Sequence, residues 1–212
     1  MKVKRFLSLI LFFAGCFANA QTDPAANTVL DRFSARAVNA PSVSLKFKLI
    51  TEDLVERRSD TLTGAVIISK DSYKLEMPNN IIWFDGKTSW SYLVAENEVV
   101  ITEPDKNDNS FMNKPSGIFT MYKSDYKTRL IEERADSWII DLYPEDLKND
   151  LVRVRLTIGK NLNDLKILEY RRKDGIVIYV VVNEYNLNIR PEPNLFVFDR
   201  TKYRGVEVID MR

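Results

Sequence analysis

The 212-residue chain carries 31 basic and 30 acidic side chains, one cysteine and no histidine. So even a balance makes no electrostatic case for nucleic acid or for an anionic membrane surface as partner. Without histidine, the Ser-His-Asp and Cys-His arrangements and the commonest zinc ligands drop out together.

Lys2, Lys4 and Arg5 precede an apolar run from Phe6 to Phe17, and Ala18-Asn19-Ala20 follows in the pattern of a leader cleavage site. The run falls short of the roughly 20 residues that a membrane-spanning helix needs. Residues 1–20 are therefore predicted to be a cleaved export leader, and residues 21–212 one domain. Phe13-Ala14-Gly15-Cys16 is similar to a lipoprotein processing box, but Phe13 stands where such boxes prefer leucine, and the Ala18-to-Ala20 site is the better match. Cleavage there removes Cys16 and leaves a mature chain unable to form a disulfide, although export would permit one.

Asp23-Pro24 reads as N-cap and first helical residue, with Val29, Leu30, Phe33 and Ala37 at helical spacing until Asn39 and Pro41. From Val43 the period becomes two, with Val43, Leu45, Phe47 and Leu49 on one face and Ser44, Lys46 and Lys48 on the other. Leu62 to Ser69 and Tyr73 to Met77 continue as strands. Asp85-Gly86 then joins Ile81–Phe84 to Thr88–Val94, and Glu96-Asn97 leads into Val99–Thr102. After a polar loop at Asp105 to Ser110, Phe111-Met112 and, past Pro115, Ile118, Phe119, Met121 and Tyr122 are predicted to form a short helical insert. Trp138–Tyr143, Val152–Ile158, Lys166–Arg172 and Ile176–Tyr185 follow as strands, with Leu195–Phe198 and Val206–Ile209 closing the chain. This many strands in hairpin order predict a mainly β fold, a meander curled into a barrel or half-barrel.

Little in this pattern supports catalysis. The seven glycines are scattered and form no phosphate-cradling loop. Asp105-Lys106-Asn107-Asp108-Asn109 lacks the central glycine and terminal glutamate of a calcium loop, so no metal and no cofactor are expected. Trp90 and Tyr92 therefore have two readings. They are ordinary core of a half-buried strand, or they line a cavity in which Phe119 and Met121 repack around an alkyl guest.

"VSLKFKL" (Val43 to Leu49), "GAVIISKDSYKLEMP" (Gly64 to Pro78), "DGKTSWSY" (Asp85 to Tyr92) and "LFVFDRTKYRGVEVID" (Leu195 to Asp210) occur in an order that resembles the LolA family of periplasmic lipoprotein carriers. The resemblance implies an open antiparallel β half-barrel with an N-terminal helix and a helical lid enclosing a hydrophobic cavity. The expected acyl-binding wall is Phe33, Leu45, Phe47, Leu49, Val66, Ile68, Leu75, Met77, Trp90 and Tyr92. Phe111, Met112, Ile118, Phe119, Met121 and Tyr122 are expected to complete it from the lid. Where the family often has Arg-Pro after the second strand, this chain has Lys70-Asp71, which makes Lys70 the gate candidate; lysine lacks the planar fork of arginine. The implied protein is a periplasmic monomer and no enzyme. Its partners are lipidated proteins, an inner-membrane lipoprotein-releasing complex and an unnamed outer-membrane receptor, with only transient membrane contact. A lipid-sensing domain of an envelope-stress pathway and a membrane-anchored LolB-like acceptor stand beside it as alternatives.

Overall fold

The computed structural model describes residues 23–104 and 111–212; the expected leader, Cys16 and the expected polar loop at 105–110 lie outside the described residues. Helix α1 (Pro24–Val38) is followed by β1 (Val43–Asp53), β2 (Arg58–Ser69), β3 (Ser72–Met77), β4 (Asn80–Phe84), β5 (Ser89–Leu93) and β6 (Glu98–Thr102). Two 3-10 turns, Pro115–Phe119 and Met121–Lys123, come next. The chain then forms β7 (Tyr126–Glu133), β8 (Ser137–Pro144), β9 (Leu151–Gly159), β10 (Leu165–Arg172) and β11 (Ile176–Asn186). It ends in 3-10 turns at Pro193–Phe196 and Arg200–Lys202 and in β12 (Glu207–Asp210).

The twelve strands of the described residues form one sheet, in the order β12-β6-β5-β4-β3-β2-β1-β11-β10-β9-β8-β7. Two hairpin runs, β1 to β6 and β7 to β11, are joined where β1 pairs with β11 along nearly its whole length. The end strands β12 and β7 do not meet, so the sheet is an open half-barrel. Its concave face can be followed across paired residues. Leu45, Val66, Leu75 and Ile82 form one row from β1 to β4, and Leu49, Val180, Leu168, Leu156 and Ile140 run from β1 to β8.

Helix α1 lies on this face and buries Val29, Leu30, Phe33 and Ala37, the stripe that the helical spacing predicts. Asp23 fixes its start. One carboxylate oxygen accepts from the Ala25 and Ala26 N–H groups at 2.9 and 3.4 Å, and the other accepts from the Leu130 N–H on the outer edge of β7 at 3.0 Å. The Asp23 N–H donates to the Thr128 carbonyl at 3.2 Å. One residue thus caps a helix and occupies polar groups of an edge strand that would otherwise invite another chain. The Leu130 bond, seconded by those of Ala25 and Ala26 against the opposing effect of burial, holds the Asp23 carboxyl below its ordinary value.

Three elements differ from the sequence expectation. Strand β7 is absent from the predicted set because a register shift between Leu130 and Glu132 breaks its alternation. Leu195–Phe198 is no strand: Pro191 and Pro193 remove backbone donors that a ladder requires, and a 3-10 turn packs over the outside of β3 and β4 instead. The helical insert is a pair of 3-10 turns rather than an α-helix. The final strand is present, but it pairs in parallel with β6, outside the hairpin order.

Candidate functional site

The apolar concave face is closed by α1 and by the segment from Phe111 to Lys123, which acts as a lid. Pro115 starts the first lid turn, and Gly117 donates to the Lys114 carbonyl at 2.9 Å while accepting from Thr120 at 3.0 Å. Such i to i+3 bonds are poorer than those of an α-helix and rarely extend. What holds the lid is its side chains. Phe119 packs on Phe33 of α1 with ring centroids 5.4 Å apart, and Phe111 meets the edge of Phe47 at 5.3 Å.

Two tyrosines tether the lid at its ends. Tyr122 donates to Asp31 of α1 at 2.5 Å, and Tyr73 of β3 donates to the Asn113 carbonyl at 3.1 Å. Burial, and next the bond to Asp31, push the Tyr122 hydroxyl up to about 12. The lid is thus latched to the helix by a neutral phenol and a carboxylate. Among the described residues no acidic cluster could hold a metal ion.

Phe33, Leu45, Phe47, Val66, Ile68, Leu75, Phe111, Ile118, Phe119 and Tyr122 come together in one buried cluster. Leu49, Met77, Met112 and Met121 are partly buried against it. Gly64 leaves the space they need, since a Cβ there would lie 2.7 Å from the Phe47 ring.

Trp90 and Tyr92 do not join them. Strand pairing runs Leu75 to Ile82 to Ser91, which places Ser89 and Ser91 on the concave face of β5 and the two aromatics on the convex one. There Trp83 packs on Phe198 and Tyr203 with centroids 5.5 and 5.7 Å away, and Tyr92 lies 4.6 Å from Tyr203. Lys70 sits exposed in the two-residue turn between β2 and β3, at φ 53°. Among the described residues it makes no hydrogen bond to the lid; the tethers are Tyr122 and Tyr73.

The sequence reading missed the other half of the wall, notably Leu156, Leu168 and Val180, each fully or almost fully buried. Their alternation was readable in the predicted strands, but which face matched Leu45 depends on the pairing of β1 with β11.

The family profile for outer membrane lipoprotein carrier protein LolA matches residues 16–166, well over half of the chain. The chain belongs to the LolA family. No curated protein matches it in sequence. Among solved structures, an uncharacterised conserved protein from Thermus thermophilus superposes with a TM-score of 0.58 at 14% identity, over 88% of this chain and 99% of that one. At that identity the likeness shows the fold alone. A putative outer membrane lipoprotein-sorting protein domain from Vibrio parahaemolyticus gives a TM-score of 0.45 at 10% identity, covering 82% of this chain and 96% of its own. A LolA superfamily protein from Nitrosomonas europaea gives 0.44 at 12%, covering 82% and 98%. Within this LolA-like half-barrel, the described lid is held by the Tyr122–Asp31 and Tyr73–Asn113 bonds, and Lys70 stands apart from both.

Proposed function

We propose that this LolA-family chain is a periplasmic carrier that takes the acyl chains of lipoproteins onto its concave face and moves them from the inner to the outer membrane. The observation that carries the reading is the way that face is covered. A second sheet would bury it permanently, whereas here one helix and two short 3-10 turns cover it, tethered by a few hydrogen bonds. Shielding a sixteen-carbon chain from water gains about 0.8 kcal/mol per methylene, on the order of 10 kcal/mol in all, and needs apolar contact rather than reactive groups. Displacing Phe119 from Phe33 and Phe111 from Phe47 opposes that gain, so the closed empty state lowers net affinity and lets cargo leave.

In this reading an inner-membrane releasing complex supplies the lipoprotein and an outer-membrane receptor accepts it. The test uses inner-membrane vesicles holding a palmitate-labelled lipoprotein, incubated with the purified mature protein and an energy source. The label should leave the membranes as a soluble complex with the protein. If the protein binds free lipid while the lipoprotein stays membrane-bound, the reading fails and a lipid-sensing role replaces it.

A further inference from the structure

Helix α1 turns Val29, Leu30, Phe33 and Ala37 toward the sheet and leaves two arginines, Arg32 and Arg36, exposed on its other side. Both line a pocket of about 590 Å³ between the last turns of α1, the β9–β10 turn and the chain just past β11. Its size falls within the roughly 300–1,000 Å³ of small-molecule sites. Asn39, Asn163 and Asn188 bring amides to it, and no carboxylate is among its lining residues.

Like charges four residues apart on a helix repel, and the helix dipole favours a cation at Arg36, in the last turn, but not at Arg32. The acids beside this segment are engaged elsewhere. Asp164 pairs with Lys166 at 2.6 Å, Glu133 pairs with Lys160 at 2.7 Å, and Asp31 accepts from Tyr122. The Arg32 guanidinium lies 5.2 Å over the Trp138 ring, which orients it without neutralising it. Among the described residues Arg36 has neither a hydrogen bond nor an ion pair. Asn163 buries its Oδ1 without a partner, so Nδ2 is the end of that amide left to face the pocket. The lining thus offers two planar donor forks and an amide N–H, with a charge of two that matches a phosphate monoester dianion better than a single carboxylate.

We propose that this pocket binds a phosphate monoester, held by Arg32 and Arg36 with the Asn163 amide donating to it, whether the phosphate belongs to a soluble molecule or heads a lipid. The site lies across α1 from the acyl-binding face, so its failure would leave the carrier reading where it stands.

The test titrates the purified mature protein at low salt with glycerol 3-phosphate, with acetate as the monoanionic control, and separately floats it with phosphatidylcholine vesicles containing phosphatidate. The phosphate ester should bind about tenfold tighter than acetate, and its binding should weaken about tenfold in an Arg32→Gln/Arg36→Gln double variant that melts like the parent. Arg32→Lys/Arg36→Lys keeps the charge without the fork and should recover only part of the loss. If the glutamine pair lowers stability, Arg36→Gln alone, which breaks no bond of the fold, carries the comparison. Arginine-dependent binding of glycerol 3-phosphate would assign the site to a soluble ester; arginine-dependent binding confined to the phosphatidate vesicles would assign it to a lipid head. Equal affinity for acetate, binding that survives in the glutamine variant, or no binding to either phosphate probe would overturn the site.

Discussion

Two aromatic clusters lie back to back across the same sheet. On the concave side Phe33, Phe47, Phe111 and Phe119 meet under α1 and the lid, all buried to within a few per cent. On the convex side Trp83, Tyr92, Phe198 and Tyr203 meet under the C-terminal segment, where Trp83 is buried but Tyr92 and Tyr203 stay partly exposed. The first cluster is phenylalanine alone and makes no hydrogen bond. In the second, Tyr92 donates to Asn97 at 3.1 Å and the Lys74 ammonium lies 5.8 Å over Trp83. The concave core also holds Tyr73, Tyr122 and Tyr170, outside these phenylalanine ring contacts, whereas the convex strap is held near water by aromatic rings with polar tips. The same convex side carries Asp141, whose side chain is only 1% exposed and is gripped by Arg155 at 2.6 and 2.8 Å and by the Tyr143 hydroxyl at 2.9 Å. Those bonds pair the Asp141 carboxylate within the outer face, and it takes no part in the chamber.

The strongest test of this contrast is optical. Trp138 is the concave-side tryptophan, packed against the core beside Arg32 of α1, and Trp83 and Trp90 belong to the convex side. A brominated fatty acid is expected to quench Trp138 saturably in a Trp83→Phe/Trp90→Phe variant and to leave Trp83 and Trp90 bright in Trp138→Phe. Quenching confined to the convex pair would place the chamber on the wrong side of the sheet.

Stability separates the clusters next. Phe33→Ala should cost about 3–5 kcal/mol in urea denaturation, because Phe33 is wholly buried between sheet and lid. Tyr203→Ala, at a partly exposed aromatic, should cost about 1–2 kcal/mol. Equal losses would make the convex cluster as much a core as the concave one.

Asp23→Ala is expected to cost about 1 kcal/mol through the lost helix cap and to expose the Leu130 and Thr128 edge. Because the native carboxyl is held below its ordinary value, its contribution is complete above the unfolded value and disappears as pH falls through the native one. The parent should therefore lose stability on acidification that the Asp23→Ala variant has already lost, a difference that parallel melts between neutral and strongly acid pH would reveal.

Tyr122→Phe should have the smallest effect, about 0.5–1.5 kcal/mol, the worth of one hydrogen bond. The native hydroxyl is raised from 10 to about 12, so its contribution is whole below pH 10 and lost as pH rises through 12. Amide exchange of the lid segment should accelerate across that window in the parent and show no such step in Tyr122→Phe. If the step persists in the variant, the latch lies elsewhere.

Elements whose signal is local were legible in the chain alone. The Asp23-Pro24 cap, the 3.6-residue stripe to Ala37, the two-residue alternation from Val43, and the turn at Asp85-Gly86 all sit in the structure within a residue or two of their expected places. Local chemistry suffices there, since a cap, a period or a positive-φ glycine acts over a few residues. Strand β7 escaped because a bulge disrupts the period on which such a reading depends, and Leu195–Phe198 misled because apolar alternation alone does not reveal missing donors in its flank. Which side of β5 faces the chamber was decided only in three dimensions. Ile81, Ile82, Trp83 and Phe84 make β4 apolar on both faces, so alternation loses its parity there and cannot be carried from Leu75 to Trp90. The pairing of β1 with β11, the return of β12 to β6 and the Tyr122–Asp31 latch join residues far apart in the chain. Such contacts leave no periodic trace in sequence, and only the folded sheet brings their partners together.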